Sequence, residues 1–142
     1  IAMCRLVFDG LYDRHPKIKI VTHHLGGGMI PFFDGRIGAG MEVLGSRTID
    51  EDHTKVLSSL KRPHLEYFKE FYADTAMFGG GVHALRCGYE FFGADKVVFA
   101  TDTPLGPIRP AIEALGKLEM PDADRRKIFS GNAEKLLRKS SR

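Results

Sequence analysis

The 142-residue sequence contains no tryptophan and only two cysteines. Cys4 and Cys87 lie far apart and in no spacing that metal sites use, which excludes a disulfide scaffold and favours buried thiols in a reducing compartment. Long apolar runs are also missing, because the longest, near residues 97–100, is too short to cross a bilayer. No charged leader precedes an apolar segment, so no secretory signal is visible. We therefore predict a cytoplasmic protein with no membrane partner.

Charge of one sign is scarce as well. The chain has 21 Lys and Arg against 18 Asp and Glu, a net charge of +3 that is scattered along the sequence. Proteins that bind nucleic acid concentrate basic residues on one surface, so we predict no nucleic-acid partner. At 43% apolar and 27% charged residues, the composition is typical of a globular protein. Length and composition together predict a single domain over residues 1–142.

Three short segments rich in apolar and β-branched residues are predicted to be strands. They cover residues 18–22, 71–76 and 96–101. Each is followed by a turn and then by a predicted helix, over residues 30–40, 82–92 and 108–118. Strands that alternate with helices pair in parallel through crossovers, so the sequence predicts an α/β fold built from βα units.

Further helices are predicted before and after these units. Helical spacing of apolar residues predicts helices over residues 2–13, 54–60 and 64–70. After Pro121, Asp122 is expected to cap a helix that reaches residue 129. Ser130 or Asn132 is expected to cap a last helix over residues 133–139.

Polar residues stand where the predicted strands end. His23 and His24 follow the first strand, Asp74 lies in the second, and Asp102 follows the third. The carboxyl ends of parallel strands carry the sites of βα folds, and imidazoles with carboxylates suit a divalent metal or acid–base chemistry. If the strand extends through both histidines, its pleat directs only one of them into the site. A structural histidine and a turn cap at Asp102 are the alternatives.

Other chemistries find little support. The glycine triplets at residues 26–28 and 79–81 have neither the dinucleotide-binding spacing nor the lysine of a phosphate-binding loop. The Gly-x-Ser-x-Gly motif of serine hydrolases is absent from the sequence, and neither cysteine stands at a strand end.

Three motifs in order resemble one family. VTHHLGGGMIP (residues 21–31) resembles the sixth-strand segment of the amidohydrolase-2 family, which includes the aminocarboxymuconate-semialdehyde decarboxylase-like enzymes. FGADKVVFATDTP (residues 92–104) resembles its eighth strand, and IFSGNAEKLL (residues 128–137) resembles its closing segment.

This resemblance implies a fold and a chemistry. The fold is the C-terminal part of a (β/α)8 TIM barrel, with about three βα units of parallel strands plus closing helices. The chemistry is hydrolysis or decarboxylation of a small carboxylated or cyclic substrate through water bound to a divalent metal, most often Zn²⁺. By resemblance, Asp102 binds the metal and acts in catalysis, and His24 is the acid–base group. His23 is the alternative match to that histidine and a further candidate metal ligand.

The same resemblance implies that part of the enzyme is missing. The family's His-x-His and its fifth-strand histidine have no match, and a full barrel needs about 250 residues. We therefore expect a C-terminal half that is inactive alone and binds zinc weakly. The inner face with Ile20, Val97 and Phe99 would be exposed, which predicts a homo-oligomer. The alternative is a small flavodoxin-like module that binds an anion or a partner without catalysis.

Overall fold

The computed structural model describes residues 1–37, 39–40, 55–77 and 81–139. The chain forms two units. The first comprises Ile1–Ile18 and Met29–Glu70, and the second comprises Lys19–Gly28 and Phe71–Arg142. Whether residues 1–142 act as one domain stays a prediction.

The second unit contains a three-stranded parallel sheet. Its strands are β1 (Val21–Thr22), β2 (Tyr72–Asp74) and β3 (Val97–Val98), in the order β1-β2-β3. The predicted parallel pairing is thus present. Each strand is shorter than predicted, because β-branched residues favour extended backbone over the whole run but a ladder forms only where a neighbouring strand lies alongside.

Helices surround this sheet in the same unit. They are α6 (Val82–Phe92), α7 (Ile108–Gly116), α8 (Asp122–Arg126) and α9 (Asn132–Lys139), numbered after the helices α1–α5 of the first unit described below. The predicted bounds of α6 are confirmed at both ends. Gly93, with φ of 76°, ends this helix in a backbone conformation that favours glycine.

The C-terminal helices differ from the prediction. Pro121 rather than Asp122 is the N-cap of α8, and a π-helical segment, Lys127–Gly131, joins α8 to α9 without a break. The Asn132 side chain, which was expected to cap the last helix, instead donates hydrogen bonds to the carbonyl oxygens of Ala94 (2.6 Å) and Val97 (2.7 Å). The prediction that Ser130 or Asn132 caps this helix is therefore wrong, because the helix continues through residues 127–131 and the Asn132 amide bonds the two carbonyls instead.

These closing helices also cover β3. The Val97 side chain is 2% exposed, and the Phe99 N–H donates to the Ile128 carbonyl at 3.0 Å. The prediction of an exposed face at Val97 is wrong, since the helix after Pro121 packs on this strand. Phe99 and Ile20 are half-buried, and the Phe99 ring lies 5.1 Å from the ring of Phe129.

The regular structure in the described residues of the first unit is helical. Its helices are α1 (Ala2–Phe8), α2 (Leu11–Arg14), α3 (Ile30–Gly35), α4 (Val56–Ser59) and α5 (His64–Phe68). A single helix over residues 2–13 was predicted; Gly10, with φ of 70°, divides it into α1 and α2. None of the described helices is long and apolar enough to cross a membrane.

Aromatic packing holds the first unit together. The Phe33 and Phe68 rings stack with centroids 4.3 Å apart, and Phe8 meets Phe68 edge-on at 6.1 Å. The hydroxyl of fully buried Tyr67 donates to the Asp13 carboxylate at 2.7 Å. Helices α4 and α5 lie within the predicted segments 54–60 and 64–70, but both are shorter than predicted, and residue 54 lies outside the described residues.

Candidate active site

The site begins with a left-handed turn after β1. The chain leaves the strand at His23 and enters one helical turn, His24–Gly27, in which His24 and Leu25 have φ of 52° and 50°. The N–H groups of Gly26 and Gly27 donate to the His23 carbonyl at 3.0 and 3.2 Å. Left-handed backbone costs a non-glycine residue roughly 1–2 kcal/mol, so two such residues in succession need specific support.

Part of that support is the burial of Leu25 in a glycine notch. Leu25 is 2% exposed, and a Cβ added at Gly88 of α6 would lie 2.7 Å from each of its Cδ atoms. Only glycine leaves this space without a shift. Burying a leucine side chain contributes about 1.5–3 kcal/mol, which is enough to offset the strain of one left-handed residue. No local pattern in the sequence predicts this role of Gly88.

A buried carboxylate supplies the rest of the support. The Asp74 side chain is 6% exposed, and its Oδ1 accepts the N–H of His24 at 2.8 Å and of Ala76 at 3.2 Å. Its Oδ2 lies 2.7 Å from Nδ1 of His23. Hydrogen bonds to charged groups contribute about 1.5–3 kcal/mol, so the bond to the His24 amide offsets much of the strain at that residue.

His24 and Asp102 come together at the carboxyl ends of β1 and β3. His24 Nδ1 lies 3.6 Å from Asp102 Oδ2, and the same nitrogen hydrogen-bonds the Ala76 carbonyl. The side chains remain 45% and 27% exposed, which leaves both accessible to a ligand. The rings of His23 and His24 are 5.9 Å apart, because the strand ends at Thr22 and the pleat no longer separates them.

A tight loop fixes the backbone of Asp102. This residue has φ of 56°, and its carbonyl accepts the Gly106 N–H at 2.9 Å. The Thr103 hydroxyl donates to the Gly106 carbonyl at 3.0 Å, and the Thr103–Pro104 peptide is cis. A Cβ at Gly106 would lie 2.2 Å from the Thr101 carbonyl oxygen, so the loop requires glycine there. The turn is closed by the main chain of Asp102, and its carboxylate lies near His24.

The described residues supply only part of a metal centre. Within residues 1–37, 39–40, 55–77 and 81–139, no group of three or more His, Cys, Asp or Glu side chains could hold a metal ion. Asp102 and the two histidines nonetheless offer the carboxylate and imidazole donors that divalent metals take. The structure thus brings His23, His24, Asp74 and Asp102, the polar residues predicted at the strand ends, into one region and adds the Ala76 carbonyl.

The chain is similar to known proteins over nearly its whole described length. The amidohydrolase family model matches residues 1–139. The γ-resorcylate decarboxylase of Polaromonas sp. is 30% identical over 140 residues, which cover 94% of this chain and 38% of the relative. The 2-amino-3-carboxymuconate-6-semialdehyde decarboxylase of Dictyostelium discoideum is 29% identical over 139 residues, covering 96% of this chain and 36% of the relative.

A solved structure gives the same result for the fold. The dihydroxybenzoic acid decarboxylase from Polaromonas sp., with bound manganese and the inhibitor 2-nitroresorcinol, superposes with a TM-score of 0.73 at 29% identity. The match covers 99% of this chain and 40% of that one. The chain thus spans about two fifths of the length of its relatives, and its three-stranded sheet is part of a (β/α)8 barrel. The resemblance inferred from the three motifs is confirmed: the chain belongs to the amidohydrolase family.

Proposed function

We propose that this chain forms part of the active site of a metal-dependent decarboxylase that acts on a small carboxylated ring compound. The observation that carries the proposal is the placement of His24 Nδ1 3.6 Å from Asp102 at the carboxyl ends of parallel strands. The similarity to γ-resorcylate and aminocarboxymuconate-semialdehyde decarboxylases supports decarboxylation rather than hydrolysis.

Asp102 is the proposed metal ligand, and His23 is the proposed second donor. The Nδ1 of His23 is engaged by Asp74, so its Nε2 is the nitrogen open to a metal. A bound divalent ion would supply Lewis-acid stabilisation of developing negative charge and acidify a bound water. The donor set suits both manganese, present in the relative's structure, and the zinc expected from the sequence.

His24 is the proposed acid. Its Nδ1 bonds the Ala76 carbonyl, so Nε2 is the atom that carries the transferred proton. In decarboxylation of an aromatic acid, this proton forms a C–H bond with a pair of ring electrons at the carbon that bears the carboxylate. The bond from that carbon to the carboxylate then breaks, its electron pair restores the ring, and CO₂ leaves.

The isolated chain is proposed to be inactive. A catalytic zinc site generally takes three protein ligands, and Asp102 with His23 gives two. β1 is an outer strand of the three-stranded sheet and its Val21 is 43% exposed, which supports self-association as a homo-oligomer.

The test has two arms. Native mass spectrometry of the chain with Zn²⁺ and with Mn²⁺ is expected to give metal-poor oligomers. The second arm replaces the matching segment of the Polaromonas γ-resorcylate decarboxylase with this chain and measures CO₂ release from 2,6-dihydroxybenzoate. The hybrid is expected to release CO₂, with a loss of at least about 100-fold on Asp102→Asn, since removal of a key charged group typically costs about that much.

Each arm has an outcome that contradicts the proposal. One tightly bound metal per isolated chain would show that the described donors suffice without further ligands. A hybrid that folds and binds manganese but only hydrolyses substrates, or a chain that binds phosphate at the glycine turn and has no catalytic role, would replace decarboxylation with the hydrolase or the flavodoxin-like alternative.

A further inference from the structure

The Ala76 carbonyl determines which nitrogen of His24 carries hydrogen. A carbonyl oxygen only accepts hydrogen bonds, so the Nδ1 of His24 that contacts it must be the donor. In the neutral imidazole the proton therefore sits on Nδ1, and Nε2 keeps a free lone pair. His24 is thus held in a single tautomer by the main chain two residues after the end of β2.

Asp74 holds the peptide that makes this contact. Its Oδ1 accepts the Ala76 N–H at 3.2 Å and the His24 N–H at 2.8 Å, so one oxygen joins both sides of the contact. Ala76 is fully buried, and Thr75 between them is 4% exposed and bonds the Ala100 main chain through its hydroxyl. The position of the Ala76 carbonyl thus depends on the Asp74 carboxylate.

Asp74 also engages His23 directly. Its Oδ2 lies 2.7 Å from Nδ1 of His23, and an ionised carboxylate only accepts. His23 therefore donates from Nδ1, as His24 does. The two adjacent histidines therefore have the same tautomer. Asp74 sets it directly for His23 and through the Ala76 peptide for His24.

We propose that Asp74 is a positioning residue that sets the Nδ1–H tautomer of both His23 and His24, directly for the first and through the Ala76 peptide for the second. Both Nε2 atoms are then bare and can serve as a metal ligand or a proton carrier, the pattern by which carboxylates orient ligand histidines. The catalytic value of this arrangement rests on the proposed function, whereas the tautomers themselves do not.

The test is long-range ¹H–¹⁵N NMR of the full chain, labelled in its histidine rings and free of metal, above the titration range of imidazole. His23→Gln and His24→Gln assign the two signals among the six histidines. Wild type is expected to show Nδ1–H at both residues. Asp74→Ala removes the acceptor of His23 Nδ1 and of the Ala76 N–H, so it is expected to lose this pattern at both. The control Asp102→Asn is expected to keep the pattern, because its carboxylate lies 3.6 Å from His24 Nδ1, beyond a hydrogen bond.

An Nε2–H tautomer at either histidine in the wild type would overturn the proposal, and this result needs no variant to fold. A folded Asp74→Ala chain with both tautomers unchanged would overturn it as well. The measurement uses neither metal nor substrate, so its failure is distinct from a failure of the decarboxylase assay.

Discussion

The interiors of the two units are built from different interactions. In the first unit, stacked and edge-on rings of Phe33, Phe68 and Phe8 make the central contacts. Apart from tyrosines, the buried polar residues of the described ranges are Asp74, Thr75 and Asn132, and all three lie in the second unit. The burial of apolar rings has no strict direction, whereas a buried hydrogen bond fixes distance and direction. The difference indicates that the buried hydrogen bonds of the second unit fix the positions of the groups around the candidate site.

Each buried polar group of the second unit joins segments that are distant in sequence. Thr75 Oγ1 accepts from the Ala100 N–H at 3.1 Å, and Asn132 Nδ2 reaches the Ala94 and Val97 carbonyls. Burying a polar group without a partner costs about 1–3 kcal/mol, so these residues hold only if their partners are in place. They therefore make the strand ends around the site a specific arrangement.

The largest expected effect comes from disrupting the aromatic packing of the first unit. Phe68→Ala removes a fully buried ring from the first unit and should destabilise the chain by about 3–5 kcal/mol, mainly through the cavity left behind. Urea unfolding followed by circular dichroism measures the loss. The control Ile112→Ala, at a side chain that is 45% exposed, should stay within about 0.5 kcal/mol. A loss below about 1 kcal/mol for Phe68→Ala would contradict the central role of this packing.

A second change disrupts the loop that fixes Asp102 in the second unit. Gly106→Ala would bring a Cβ to 2.2 Å from a main-chain oxygen that no side-chain rotation can move. We expect a loss of about 3 kcal/mol, the upper end for overpacking, together with changed NMR signals at Asp102 and His24. Gly116→Ala is the matched control, because nothing lies within 4 Å of the added Cβ and the position ends helix α7. Equal melting temperatures for the two variants would refute the steric requirement.

The smallest expected effect concerns a tyrosine–aspartate hydrogen bond, of which each unit contains one. Tyr67 donates to Asp13 at 2.7 Å in the first unit, and Tyr89 donates to Asp124 at 2.8 Å in the second. In each pair the tyrosine hydroxyl lowers the pKa of the aspartate below its ordinary value of 3.8. A lowered aspartate pKa stabilises the fold above pH 3.8, and that contribution disappears as pH falls through the folded-state pKa.

Tyr67→Phe and Tyr89→Phe should therefore destabilise the chain at pH 7, and each difference from wild type should shrink below about pH 4. Tyr67→Phe is expected to have the larger effect, because Tyr67 is fully buried and its oxygen also accepts the Arg62 N–H at 3.0 Å. Thermal melts between pH 2.5 and 7 measure both. A pH-independent difference, or a larger loss for Tyr89→Phe, would contradict this assignment.

Local sequence signals predicted which helices and strands exist better than they predicted where each begins and ends. Periodicity and Gly93 gave α6 correctly, but Gly10 inside a predicted helix was a visible signal that the sequence analysis did not use. The strand ends also pointed to His23, His24, Asp74 and Asp102 as polar residues at one edge. Their roles in metal binding and proton transfer stay predictions.

The sequence by itself determined the alternation of strands and helices, the family, and the polar residues at the carboxyl ends of the strands. These follow from periodicities of two and 3.6 residues and from motifs of about ten residues, all of which are local. Only the tertiary structure decided that the Asp74 carboxylate lies between two histidines 51 and 50 positions away, and that Asn132 reaches residues 35 and 38 positions away. Such contacts depend on strand register and on how the crossover helices pack, and no local pattern encodes them.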